Sequence, residues 1–401
     1  MTTPATRDAV GGKEAAAAPH GEPRTLRGLM RYFLKLGGLG FGGPIALVGY
    51  MQRDLVEQRR WFSEDEFRQA LAVGQTMPGP LAAQVAMWFG YLHAGWRGAV
   101  AVAAPFVVPP FVIVTAVAVL YAQYEGLAWV HAIFLGVGPA VLAIIAIAAY
   151  KLARSTNKAD PVLWAIAGIL CAVTAITGAE IVWLFLLAGA FAAIYYGGGL
   201  PRRSALAGVS PVGVLAAVNG LAWTGSGTSL GSLGWFFFKA GAFTFGSGLA
   251  IVPFLHAGLV DDHDWLNQQQ FVDAVAMGLI TPGPVVIMAT FAGYLVYGLV
   301  GAIVATICVF LPALLLVVVP GPLIRRHEKH PRLQGFVKGA TAAAAGAIAG
   351  AAIVIARDVI DRPASVLIGL AALALLLQRR MKVHEPALVA AAALVGLLAF
   401  G

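Results

Sequence analysis

Long apolar runs separated by short polar clusters fill the chain from about residue 25 to its end. Val100–Tyr121, Ala132–Ala149, Pro161–Thr177 and Ile303–Pro320 contain no charged residue, and each is near the length that crosses a bilayer as a helix. Helices are the expected element, because backbone groups in lipid must be satisfied within their own segment. Two-residue alternation of the kind a membrane β-barrel needs is absent. The pattern predicts an all-α polytopic membrane protein of about ten spans.

The runs are broken at two kinds of place. Residues 37–44 read Gly-Gly-Leu-Gly-Phe-Gly-Gly-Pro, and residues 241–248 read Gly-Ala-Phe-Thr-Phe-Gly-Ser-Gly. Glycine frees the backbone and proline removes a donor, so both stretches should interrupt a helix. Pro78-Gly79-Pro80 and Pro282-Gly283-Pro284 should do the same. The apolar run after each Pro-Gly-Pro ends early, near Gly90-Tyr91 and Gly293-Tyr294, which fits a half-helix or a re-entrant hairpin.

These breaks belong to an internal repeat. Lys35, Gly37, Phe41-Gly42, Val56, Trp61, Phe67, Gly74 and Pro78-Gly79-Pro80 match Lys239, Gly241, Phe245-Gly246, Val260, Trp265, Phe271, Gly278 and Pro282-Gly283-Pro284 at one constant offset. After a one-residue slip, Gly90-Tyr91, Gly95, Gly98, Pro109, Gly136 and Arg154 match Gly293-Tyr294, Gly298, Gly301, Pro312, Gly339 and Arg357. Ordered Lys, Trp, Gly and Pro landmarks of this kind mark duplication. Residues 24–203 and 234–401 are then two membrane repeats. Residues 204–233 join them and carry a connecting span, and residues 1–23, rich in Ala, Pro, Gly and Thr, form a disordered tail.

Charge adds orientation. Arg53, Arg59, Arg60 and Arg68 flank a loop whose counterpart reads Asp261-Asp262-His263-Asp264. The loop at Glu125 and the turn at Glu180 lack Lys and Arg. Their counterparts carry Arg325, Arg326, Lys329, Arg332 and Lys338, and Arg379, Arg380 and Lys382. Only the pair near Arg154 and Arg357 does not switch. Basic loops prefer the cytoplasm, so the repeats are expected to have inverted topology, and Arg24, Arg27, Arg31 and Lys35 should hold the N-terminus in the cytoplasm.

Composition agrees: 59% of the 401 residues are hydrophobic and 11% are charged. The formal charge of +8 lies in short clusters between apolar runs, so no nucleic-acid partner is expected; the lipid bilayer is the partner. The two cysteines, Cys171 and Cys308, lie in apolar segments without metal-like spacing, and neither a metal nor a cofactor is expected.

Broken backbone at membrane depth is tolerated where it is buried in protein or lines a polar cavity. Interrupted segments at equivalent places in two halves point to a transporter's binding site. A half-helix beginning after Pro80 or Pro284 aims unpaired N–H groups and a positive dipole end at the membrane centre, which suits an anion. The candidate ligand set is Lys35, Gly42, Gly43, Gln75, Thr76, Pro78, Gly79, Pro80 and Gln84. The second repeat adds Lys239, Gly246, Ser247, Thr281, Pro282, Gly283 and Pro284. Plainer roles stand beside these. The glycines can serve close helix packing, the lysines can snorkel to the interface, and Gln75, Thr76 and Thr281 can cap helix ends. Trp61 and Trp265 read as interfacial anchors, and His131, His327 and His330 as solvated. Asp273 is either an interfacial acid or a proton or counter-charge group.

At these residues the chain resembles the chromate ion transporter family, in its long two-domain form. The resemblance rests on Phe41-Gly42-Gly43-Pro44, the stretch ending Val56-Glu57-Gln58-Arg59-Arg60-Trp61, Phe67, Pro78-Gly79-Pro80, Gly90-Tyr91, Gly95 and Gly98, with a weaker echo in the second half. It implies a secondary transporter in the cytoplasmic (inner) membrane that exports chromate, with sulfate as a related oxyanion, by alternating access. Where the family pattern places His or Gln after Gly-Gly-Pro, this chain has Ile45-Ala46-Leu47-Val48. An anion channel, or a carrier of a different small anion, on the same fold is the alternative. An enzyme is not expected, since no HExxH pair, acidic pair or Ser/His arrangement occupies the spans. No Walker motif is present, so transport would draw on a coupled proton or an exchanged anion. Homodimerisation is left open.

Overall fold

The computed structural model describes residues 24–124, 127–177, 182–198, 229–244, 248–322, 330–360, 362–378 and 384–400. The N-terminal tail, the 204–228 portion of the linker, His327 and the pair Gly246 and Ser247 lie outside them. Every long element described is a helix.

The first repeat begins with α1 (Leu26–Leu39), capped by the Thr25 hydroxyl, which accepts from the Gly28 amide. Leu29, Tyr32, Phe33 and Leu36 recur at helical spacing and form its buried face. A break at Gly40–Gly42 leads into α2 (Gly43–Met51) and a π-helical turn over Gln52–Gln58. Helix α3 (Glu64–Thr76) opens with a reciprocal cap between Ser63 and Glu66. Helix α4 (Leu81–Tyr124) leaves helical geometry at Ala94 and at Gly95 (φ 62°, ψ −149°) and turns back on itself. A Cβ placed on Gly90 would lie 2.2 Å from the Gly98 carbonyl oxygen, so only glycine permits this backbone contact. The arm before the turn, residues 81–93, is about 20 Å long, short of the roughly 30 Å hydrocarbon core of a bilayer. Helices α5 (Ala128–Asn157), α6 (Pro161–Thr177) and α7 (Val182–Tyr196) complete the repeat.

The second repeat retraces this path. It comprises α8 (Leu230–Ala242), α9 (Val252–His256) with a π-helical turn over Ala257–Asp262, and α10 (Gln268–Ile280). Helices α11 (Met288–Val318), α12 (Pro331–Val359), α13 (Pro363–Leu377) and α14 (Glu385–Phe400) follow. Equivalent details recur: reciprocal caps at Ser229 and Asn267, positive φ at Arg60 and Asp264, and a turn inside α11 at Tyr297 and Gly298 (φ 60°, ψ −151°). Gly37 admits the Phe106 carbonyl as Gly241 admits the Val309 carbonyl.

The repeats are interlocked. Helix α5 packs against α13 and α14 of the other repeat, and α12 packs against α6 and α7. Helices α5 and α12 also pack on each other, and α4 packs on α11. One buried apolar cluster therefore runs through both repeats. Helix α4, the helical stretches beginning at Ala132, Val285 and Pro331, and no others among the described residues are by length and composition long and apolar enough to cross a membrane; the helices at 161–177, 184–196, 363–377 and 385–399 are shorter and apolar.

Candidate functional site: the crossing of the two broken segments

The Pro-Gly-Pro of each repeat meets the glycine-rich break of the other. The Gly79 amide donates to the Thr244 carbonyl at 2.5 Å, and the Gly283 amide donates to the Gly40 carbonyl at 2.9 Å. Gly79 and Gly283 are equivalent positions, and so are Gly40 and Thr244, so the two bonds are reciprocal. Both glycines need left-handed backbone, with φ of +134° and +97°. Their surroundings are equivalent at one neighbour, Ala313 for Gly79 and Pro110 for Gly283, while Gln84 Nε2 lies nearest to Gly79, 2.6 Å from a built Cβ. A Cβ built on Gly79 would lie 3.1 Å from Ala313 Cβ, and one on Gly283 would lie 3.0 Å from Pro110 Cγ and 3.2 Å from the Gly37 carbonyl oxygen. Pro44 faces Gly248 across the same junction.

This geometry sorts the predicted ligands. The amides of Gly79 and Gly283 are committed to the opposite repeat, and Pro78, Pro80, Pro282 and Pro284 have no N–H to offer. The donors at the crossing are the next amides along. Among the described residues no acceptor takes those of Leu81, Ala82 and Ala83, or those of Val285 and Val286. All five residues are buried. Two helical starts thus aim backbone N–H groups into the interior from opposite repeats.

Gln84 lies one turn into the short arm of α4 and is fully buried. Its Nε2 donates to the Pro78 carbonyl at 2.7 Å, which ties the Pro-Gly-Pro to the helix it starts. Its Oε1 has no partner among the described residues, and neither does the indole N–H of Trp88, one turn further on the same face. An acceptor and a donor are thereby left open side by side. Thr281 donates its hydroxyl to the Met277 carbonyl at 2.5 Å, so it caps its own helix. Gln75 is exposed and Thr76 half-buried. Lys35 is exposed on α1, whereas Lys239 is half-buried on α8. Gly42 and Gly43 both take positive φ, and Ile45 beside them is 83% exposed.

Two groups are more deeply buried than an interfacial position would make them. Of the two readings of Asp273, interfacial acid or proton or counter-charge group, its burial at 1% exposure does not fit the first; the Tyr121 hydroxyl donates to it at 2.6 Å and the Gln269 amide at 2.8 Å. That hydrogen bond joins the far end of α4 to α10, the helix leading into the second Pro-Gly-Pro. Trp61 is buried beneath the Arg59 guanidinium, 4.8 Å from its ring, rather than standing free at a surface. Glu385, which sequence reasoning passed over, starts α14 and brings Oε2 to the Gly43 break. Its signal was weak: one carboxylate at the head of an otherwise apolar helix.

The model of the chromate transporter family matches this chain twice, over residues 27–194 and 231–397. The chain belongs to the chromate transporter family. It is 48% identical over 390 residues to the chromate transport protein of Cupriavidus metallidurans, covering 96% of each chain. It is 46% identical over 395 residues to a probable chromate transport protein of Synechococcus elongatus, covering 96% of this chain and 99% of that one. A chromate transport protein of Pseudomonas aeruginosa is 33% identical over 404 residues, or 96% and 94% of the two chains. No solved structure matches. As a member of the chromate transporter family, this chain is a multi-pass membrane protein of a transport family and not an enzyme.

Proposed function

We propose that this protein is a secondary transporter that exports chromate, or sulfate or a related oxyanion, across the cytoplasmic membrane by alternating access. The observation that carries the reading is the reciprocal pair of bonds, Gly79 to Thr244 and Gly283 to Gly40. It brings two buried helical starts to one junction, where backbone N–H groups and positive dipole ends can hold a tetrahedral dianion. Chromate enters the proposal from the names of the relatives. Repeats of opposite orientation, residues 24–203 and 234–401, would rock about this junction, with the span within 204–233 supplying the inversion. Lys35 and Lys239 would add mobile positive charge on either side. A proton gradient or an exchanged anion would drive the cycle.

Everted vesicles containing the protein should accumulate chromate in a saturable manner that responds to a proton gradient or to trans anion. Non-saturable flux indifferent to both would point to a channel instead. Inversion is tested by labelling Gln58→Cys and Asp262→Cys with an impermeant thiol reagent. Labelling of both from the same side would refute it.

A further inference from the structure

A cleft of about 220 Å³ lies between α1 and the π-helical turn after α2. Lys35, Arg53 and Arg59 line it together with Asp54, Tyr32 and Tyr50. One carboxylate among three cations leaves a formal charge of +2, which is complementary to a dianion. The side chains are held rather than loose. Arg53 Nε contacts Asp54 Oδ1 at 2.8 Å, and the Tyr32 hydroxyl reaches Asp54 Oδ2 at 3.4 Å. The Arg53 guanidinium lies over the Tyr50 ring at 5.2 Å, and that of Arg59 over Trp61 at 4.8 Å and Tyr32 at 5.9 Å. Lys35 is exposed and makes no hydrogen bond or ion pair among the described residues. Gly40, whose carbonyl receives the Gly283 amide, also lines the cleft. Three basic side chains and one residue of the junction thus border the same cleft.

The second repeat lacks this chemistry. The positions equivalent to Tyr32, Tyr50, Arg53, Asp54 and Arg59 hold Phe236, Phe254, Ala257, Gly258 and His263, and only the lysine, Lys239, is kept. The segment that follows carries Asp261, Asp262 and Asp264 and no Lys or Arg. The repeats agree in backbone here and differ in charge, so the asymmetry is not a requirement of the fold. General retention of basic loops on one side needs only a surplus of Lys and Arg. It does not need guanidinium groups set over aromatic faces beside an open cleft that Gly40 of the junction also lines.

We infer that this cleft is a loading site for the oxyanion, used from the face of the first repeat alone. It captures a dianion on Lys35, Arg53 and Arg59 before the anion reaches the junction, and the acidic counterpart on the second repeat disfavours capture from the other face. The inference rests on the proposed transport function and adds the side on which the anion is bound.

The test is chromate flux by the full chain in liposomes of phosphatidylcholine alone and of phosphatidylcholine with phosphatidylglycerol, initiated separately from each face. Arg53→Gln and Arg59→Gln should each raise the KM from the cleft face about tenfold, as expected for one lost charge-assisted contact. The limiting rate, and the KM from the opposite face, should hold. Arg59→Lys, which keeps the charge, should recover most of the KM and control for misfolding. Equal KM changes from both faces, or none, would overturn the loading site. An effect confined to liposomes with phosphatidylglycerol would assign the cleft to a lipid phosphate and also overturn it. A wild-type protein with no saturable flux would defeat the transport reading and the loading site together, whereas wild-type flux with indifferent variants would defeat the loading site alone.

Discussion

Gly283→Ala probes the junction most directly. The new methyl group would sit 3.0 Å from Pro110 Cγ and 3.2 Å from the Gly37 carbonyl oxygen, with φ at +97°. An L-residue in left-handed backbone costs roughly 1–2 kcal/mol. Overpacking against a rigid proline ring costs about 1–3 kcal/mol more. The strain can be relieved by moving the Pro-Gly-Pro away from Gly40, but that gives up a hydrogen bond worth about 0.5–1.5 kcal/mol net. Because relief of one cost incurs another, the three do not simply add, and a destabilisation of about 3 kcal/mol is expected. Gly168→Ala is the control: Gly168 is exposed within α6 and nothing lies within 4 Å of its Cβ position. There the same substitution should stabilise by roughly 0.5–1 kcal/mol. Chaotrope unfolding in detergent, followed by tryptophan fluorescence, would compare the two, with chromate flux measured alongside. Gly79→Ala should resemble Gly283→Ala, and the double variant should lose less than the sum of the two, since both disturb one junction. A Gly283→Ala protein as stable and as active as Gly168→Ala would refute the claim that this contact is tight and necessary.

Three further substitutions follow from the structure. Gln84→Leu should lower flux per folded molecule while changing stability by less than about 1.5 kcal/mol, because it removes one bond to Pro78 and one buried acceptor without a partner; flux normalised to the gel-filtration peak would show this. Asp273→Leu should destabilise by roughly 1–3 kcal/mol, since it strands the Tyr121 hydroxyl and the Gln269 amide, whereas Asp273→Asn should keep most of the stability; unfolding midpoints would separate them. The Tyr196 hydroxyl beside Asp160, in the loop between α5 and α6, holds that carboxyl below its ordinary range. A depressed folded pKa stabilises above the unfolded value and is lost as pH falls through the folded one. Tyr196→Phe should therefore weaken the protein at neutral pH and flatten its loss of stability below about pH 4, as seen in unfolding midpoints against pH.

Much of the backbone plan was legible because glycine and proline act locally. The turn after the short arm of α4 could be read from Gly90, Gly95 and Gly98 spaced after Pro78-Gly79-Pro80, since few other signals end an apolar run so early. The repeat was legible for the same reason. Partner choice was not. Helices α5 and α12 are both long and apolar, and nothing in their local pattern says that each should pack on the other repeat's terminal hairpin. The commitment of the Gly79 and Gly283 amides was also hidden, because a backbone N–H has no residue-specific signature. Asp273 was visible as an acid beside an apolar segment, but its partner Tyr121 lies 152 residues away in the sequence and could not be read from it. Arg53 and Arg59 were read as loop charge, and only the fold places them with Lys35 around one cleft.

The interlocking of α5 with α13 and α14, and of α12 with α6 and α7, has a consequence for how the chain is made. Helices α6 and α7 leave the ribosome well before their main partner, α12, exists. At ordinary synthesis rates that interval is on the order of ten seconds. During it, two apolar helices with glycine-lined and alanine-lined faces must wait in the bilayer or beside the insertion machinery without their final neighbour. Truncation after the first repeat should then yield a polypeptide that inserts but is cleared by membrane proteases, and supplying the second repeat as a separate chain should restore its lifetime.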